Sequence, residues 1–157
     1  MLMMTRMLRE LDERIIALRV YLHGPQYRRL LLTDLDIEGG VGSLRILRAV
    51  ERRTTTTYVP SIGDIALELG VEHSTASRAV DAAAKSGLLR KAPAAEDLRR
   101  SQLEISSGGL AILSAADERR LAMLAEVTSG WEQSDIDQLA HLLERLQTGF
   151  DRLDGDA

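Results

Sequence analysis

From His73 to Arg78 the chain reads His-Ser-Thr-Ala-Ser-Arg, which sets three hydroxyls, an imidazole and a guanidinium within six residues. Hydroxyls donate and accept at short range. A guanidinium offers a planar fork that fits a phosphate, a carboxylate or the O6/N7 edge of guanine. A second cluster, Glu96-Asp97-Leu98-Arg99-Arg100, lies further along. Such groups bind. Catalysis needs a nucleophile beside a base, and no G-x-S-x-G, P-loop or H-E-x-x-H pattern is present. His23, His73 and His141 lack metal-ligand spacing, and the absence of cysteine removes disulfides, thiolate zinc sites and thiol switches. The expectation is a binding protein, not an enzyme, with no cofactor and no metal.

Short regular elements must position these clusters. Ser61 opens a helix, with Asp64 at the capping-box position usually held by Glu or Gln. Ile62, Ile65, Ala66 and Leu69 form its buried stripe, and Gly70 stops it. The next helix runs from about His73 to Ser86 and stops at Gly87. Leu88 to Lys91 and Gln102 to Ile105 predict two strands, joined by a charged loop starting at Pro93. Upstream, Leu8, Leu11, Ile15, Leu18 and Leu22 alternate spacings of three and four, the seam of a helix that Gly24-Pro25 ends. The stretch from Gln26 to Gly42 fits no single pattern, although Leu30-Leu31-Leu32 asks for burial and Gly39-Gly40 for a turn. Ser43 to Arg53 reads as a helix, and the β-branched run Thr54 to Val59, ending at Pro60, as a short edge strand. After Ser106 or Ser107 a helix passes through Leu110, Leu113, Leu121 and Leu124 to Gly130. Ser134 or Asp135 starts the last helix, where Ile136, Leu139, Leu143, Leu146, Phe150 and Leu153 keep three-four spacing. The expected fold is mainly α with a small antiparallel β wing.

Wound at 3.6 residues per turn, the helix from His73 puts Ala76, Ala79, Val80 and Ala83 on one side. Ser74, Arg78, Asp81 and Lys85 fall on the other, flanked by Thr75 and Ser77. Small hydroxyls in the first turn suit a helix that enters the major groove by its N-terminus, where backbone N–H groups and the helix dipole also favour phosphate. The same Ser74 and Thr75 are equally compatible with simple capping. An Arg at the tip of the two-stranded wing suits a narrow minor groove, with Asp97 able to orient Arg99. The alternative for that loop is a surface segment with one weak ion pair.

Composition sets the limits. The 157 residues favour a single modest core, and an aromatic content of 3% excludes a base-stacking platform for single strands. Net charge is −4, yet His73 to Gln102 carries six cations against three anions, so this segment is +3 and the remainder −7. A basic patch on an acidic body is the footprint of a nucleic-acid binder, and a solvated charged face would look the same. No apolar run approaches a membrane span, and Arg6 and Arg9 break up the Met-rich start, so the expected location is the cytoplasm without membrane contact.

The residues Ile65-Ala66, Leu69-Gly70, Ser74-Thr75-Ala76-Ser77-Arg78, Val80-Asp81, Lys85 and Gly87-Leu88 resemble the MarR family of winged helix-turn-helix regulators. So do Asp97-x-Arg99, Leu103-x-Ile105-Ser106, Gly109 and Trp131-x-x-x-Asp135. The resemblance spans nearly the whole chain, most strongly from Leu44 to Leu146. It implies a sequence-specific transcriptional regulator of double-stranded DNA, a homodimer on a pseudo-palindromic operator, acting as a repressor that a small-molecule effector releases. It implies helical dimerisation segments over 1–42 and 107–157 around a winged helix-turn-helix over 43–106. The DNA-binding candidates are Ser61, His73, Ser74, Thr75, Ser77, Arg78, Arg99 and Arg100. The dimer candidates are Leu8, Leu11, Ile15, Leu139, Leu143, Leu146 and Phe150. The chain departs from the family at Leu98, where many members carry Arg, and at Ala79 and Ala83, where larger apolar residues are usual. Glu72 stands where a better capping residue is common. The alternative function is a winged-helix adaptor that binds protein and not DNA.

Overall fold

A computed structural model of the chain describes residues 2–93 and 101–155. Along it run α1 (Leu2–His23), α2 (Pro25–Leu31), α3 (Gly40–Arg53), α4 (Ile62–Leu69) and α5 (His73–Lys85). Then come β1 (Leu89–Pro93), β2 (Ser101–Ile105), α6 (Ser107–Val127) and α7 (Gln133–Gly155). The two strands pair antiparallel, from Leu89 opposite Ile105 to Pro93 opposite Ser101. The fold is a winged helix, mainly α with a two-stranded wing, as expected. The chain divides into two compact units, one reaching to Arg119 and one beginning at Arg120. No helix among the described residues is long and apolar enough to cross a membrane.

The core sits where α3, α4, α5 and the base of the wing converge. Leu47, Val50, Ile65, Val80 and Leu103 are fully buried there. Each contributes about 1.5–3 kcal/mol relative to exposure. The three-four spacing of Leu44, Leu47 and Val50 puts all three inside, and Ile46 and Ala49 join them, so α3 is buried over a wide face. The helix α4 starts with the anticipated capping box. Asp64 accepts from the Ser61 backbone N–H at 2.7 Å and the Ser61 hydroxyl at 2.6 Å, while the Asp64 N–H donates to Ser61 Oγ at 3.4 Å. Gly70 ends the helix at φ +62, a conformation that L side chains rarely adopt.

The run Thr54 to Val59 is not a strand. Threonine hydroxyls offer the backbone local partners that compete with a ladder. Thr54 donates both its N–H (2.9 Å) and its Oγ1 (2.7 Å) to Val50 O, closing α3, and the Thr55 N–H turns back to Tyr58 O at 2.9 Å. Contact with the sheet moves downstream. Leu103 N–H donates to Pro60 O at 2.9 Å, and Ser61 forms a single bridge with Gln102. The stretch that fits no pattern resolves into α2 and a turn. Leu31 packs against the core, but Leu30 is 42% exposed, so the leucine triplet is only partly buried.

The start of α6 closes the wing onto the core. Ser106 is buried; its hydroxyl donates to Gly87 O at 2.6 Å and accepts from the Gly109 N–H at 3.0 Å. Its own N–H donates to Leu88 O at 3.1 Å. Gly109 is pressed against this junction: a Cβ there would lie 2.2 Å from Leu88 O and 2.7 Å from Ile105 Cγ2. Further along, Arg48 of α3 donates to Leu113 O at 3.3 Å and pairs with Asp117, fixing α3 to α6.

Two stability predictions follow from this packing. Gly109→Ala should destabilise by about 1–3 kcal/mol, because backbone on one side and a β-strand side chain on the other leave the methyl nowhere to go. An unchanged urea midpoint would show that α6 can shift freely at its start. Glu68 accepts from Arg52 and Arg53 at 2.9 Å each, and these two hydrogen bonds hold its carboxyl below the ordinary range. A depressed folded-state value adds stability above the unfolded value of about 4.3 that is lost as pH falls through the folded one. The stability gap between wild type and Glu68→Gln should therefore be constant from neutral pH down to about 5 and shrink below it. A gap independent of pH down to about 3 would remove the ionic origin.

Candidate nucleic-acid interface

The element that carries the first chemical cluster is α5. Its inner face is Ala76, Val80 and Ala83, all buried, with Ala79 partly so. Short side chains on that face require the opposite face to point outward. His73, Ser74, Thr75 and Arg78 are exposed accordingly, and Ser77 is half-buried on the flank. Among the described residues Arg78 makes one hydrogen bond, from Nε to Ser74 O within its own helix at 3.3 Å, and has no carboxylate partner. The N-cap is Glu72, whose side chain makes no capping bond. The Thr75 and Ala76 N–H groups turn to Glu72 O, at 2.9 and 3.1 Å. The first turn thus presents hydroxyls and the positive end of the helix dipole, and the Glu72 side chain makes no capping hydrogen bond to its N–H groups.

The acid on the outward face is accounted for. Asp81 pairs with Lys91 of β1 at 2.5 Å, and this hydrogen bond draws its carboxyl below the ordinary range. The same pair joins α5 to the wing. One flank of α5 opens onto α3 and the turn before it. A groove of about 400 Å³ there is lined by Glu38, Arg78, Asp81 and Lys85 among others, and Glu38 accepts from the Ser86 hydroxyl at 2.9 Å. Nearer the N-terminus of α5 a smaller cleft of about 120 Å³ holds Arg45, Thr75 and Ala79.

The sequence-derived candidates divide into groups. His73, Ser74, Thr75, Ser77 and Arg78 come together on α5. Ser61 sits at the N-cap of α4, where the capping box engages its hydroxyl. Arg99 and Arg100, with Glu96 and Asp97, lie outside the described residues. Of the candidates for self-association, Leu8 and Leu11 on α1 are exposed, as are Leu139, Leu143 and Phe150 on α7, while Ile15 and Leu146 are half-buried. Sequence reasoning missed the Asp81–Lys91 pair, which spans a helix and a strand, and it passed over Arg45. The signal for Arg45 was the lack of an acid three or four residues away; Arg48 has Glu51 at that distance.

Residues 39–100 match the sequence profile of the MarR family. Comparison with curated proteins returned no match. Among solved structures, a MarR family protein from Bacillus stearothermophilus is similar at 18% identity and a TM-score of 0.78, over 94% of this chain and 97% of that one. The transcriptional regulator BldR from Sulfolobus solfataricus is 22% identical, with a TM-score of 0.65 over 92% and 95% of the two chains. Wild-type MarR from E. coli, in its apo form, is 20% identical with a TM-score of 0.65 over 85% and 95%. These identities establish a shared fold, and the profile match establishes the sequence relationship over the reading head. Residues 39–100 are therefore similar in sequence to the MarR family, and the chain shares the winged-helix fold of those solved structures.

Proposed function

We propose that this chain is a sequence-specific transcriptional regulator that binds double-stranded DNA as a homodimer and represses until a small molecule releases it. The observation that carries the reading is the two-sidedness of α5. A stripe of buried Ala76, Val80 and Ala83 anchors the helix, and Ser74, Thr75 and Arg78 stand exposed on the other side with no acidic partner among the described residues. In this reading the N-terminal half of α5 enters the major groove. Ser74, Thr75 and Ser77 approach phosphates or base edges there, with His73 and Ser61 beside them, and Arg78 takes a guanine edge. Arg99 and Arg100 serve the adjacent minor groove. The segments 1–42 and 107–157 form the dimerisation domain and 43–106 the reading head. A ligand that favours one spacing of the two heads over another suffices to release DNA.

Self-association is supported by what a single chain leaves uncovered. On α1, Met7, Leu8, Leu11 and Leu18 are 47–58% exposed, and on α7 Leu139, Leu143, Phe150 and Leu153 are 42–70% exposed. Exposed apolar stripes of this kind on a helix mark an interface in a stable protein. A two-fold axis would bury each leucine twice, at about 1.5–3 kcal/mol apiece.

Selection of bound duplexes should return two related half-sites about one helical turn apart, roughly 10 bp centre to centre. Arg78→Ala should weaken the best site by about 1–3 kcal/mol and relax preference at one base position. Equal weakening on every sequence would reassign Arg78 to a phosphate, and absence of duplex binding by the wild type would favour the protein-adaptor function. Leu139→Asp with Leu143→Asp places unpaired carboxylates in the proposed interface. Sedimentation velocity should show monomer, and DNA affinity should fall because two heads no longer act as one ligand. A variant that stays dimeric and binds normally would remove α7 from the interface.

A further inference from the structure

The four arginines of α3 that face outward differ in their company. Arg48 is held by Glu51 and Asp117, while Arg52 and Arg53 share Glu68. Arg45 has no carboxylate and no hydrogen-bond partner among the described residues, and it is exposed. Its position is specific. Arg45 and Gly42 form one wall of the 120 Å³ cleft whose other wall is Thr75, Ala76 and Ala79 of α5. An unpaired cation therefore stands beside the first turns of the recognition helix, on a different element and across a gap lined by small side chains.

The dimensions of DNA say what such a cation meets. An α-helix with its side chains is about 10–12 Å across, and the major groove is about 12 Å wide. A helix seated there fills the groove, so an element alongside its flank lies over the sugar–phosphate edge and not over bases. The acid on this flank is displaced toward the other end of the helix, where Glu38 is bonded to Ser86 near the C-terminus of α5. Glu38 thus stands away from Arg45, on the groove that also holds Arg78, Asp81 and Lys85.

We propose that Arg45 is a phosphate-gripping residue that fixes the depth and register of α5 from outside the helix-turn-helix. This rests on the DNA-binding reading and adds a contact that neither the helix nor the wing supplies. A guanidinium with no internal partner releases nothing within the protein when it engages a phosphate. Its contribution should appear as counterion release without base preference.

The test is fluorescence anisotropy with the duplex selected by the wild-type protein and with a scrambled duplex, over a series of potassium chloride concentrations. Each phosphate contact contributes about 0.9 to the slope of log affinity against log salt. Arg45→Gln should flatten the slope by about 0.9 per bound chain, on both duplexes alike, with the ratio between them unchanged. Arg45→Lys should restore most of the slope, and thermal unfolding of both variants should match wild type because the side chain supports nothing internal. An Arg45→Gln slope equal to wild type overturns the proposal and leaves the DNA reading standing. A changed ratio between the duplexes also overturns it, since Arg45 would then read a base. A wild-type protein with no salt-dependent duplex binding overturns both.

Discussion

The constraint on which the rest of this winged helix depends is the burial of α5 through side chains of one to three carbons. Ala76, Val80 and Ala83 are the buried residues of its inner face, with Ala79 and Ala84 packed beside them against the core that holds Leu47, Ile65 and Leu103. Short side chains have little rotamer freedom to lose and fix a helix firmly for the area they bury. They also leave clefts on the flanks: Ala79 borders one groove and Ala82 the next. Larger apolar residues at positions 79 and 83 would thicken this face. Here the contact is thin, and positioning passes to neighbours that grip α5 from its ends and from the wing.

Those neighbours act mainly through hydrogen bonds with few alternative partners. Ser106 receives the chain from β2, seals Gly87 O at the end of α5 and caps α6, all with one small side chain and its own amide. Lys91 meets Asp81 across the strand–helix gap, and Pro60–Ser61 touches the outer edge of β2. The helix-turn-helix and the wing base are consequently one mechanical piece.

Much of this was legible in the sequence because the signals were local. The three-four apolar spacing located the helices, Ser61 with Asp64 marked an N-cap, and Gly70 and Gly87 marked two stops. The inward and outward faces of α5 came directly from its period. Two features were not legible. Thr54 to Val59 has strand composition, but its first hydroxyl closes the preceding helix, a choice that depends on where Val50 O ends up. Ion pairs such as Asp81–Lys91 and Arg48–Asp117 join elements whose approach no local pattern reports. For the same reason Arg45 could be picked out only once α3 was seen to run beside α5.

The outward side chains of α5 carry no share of the fold. Ser74, Thr75 and Arg78 are exposed, and among the described residues Arg78 bonds only to its own helix. Surface substitutions of this kind usually change stability by less than about 0.5 kcal/mol. Natural proteins lose variants mainly when they fall below a stability threshold, and these positions stand clear of it. Ala76 and Val80, interleaved with them in sequence, tolerate almost nothing. A lineage of such chains can therefore change the outward face of α5 freely while its skeleton stays fixed, so surface divergence and a constant architecture are written into alternate positions of the same helix.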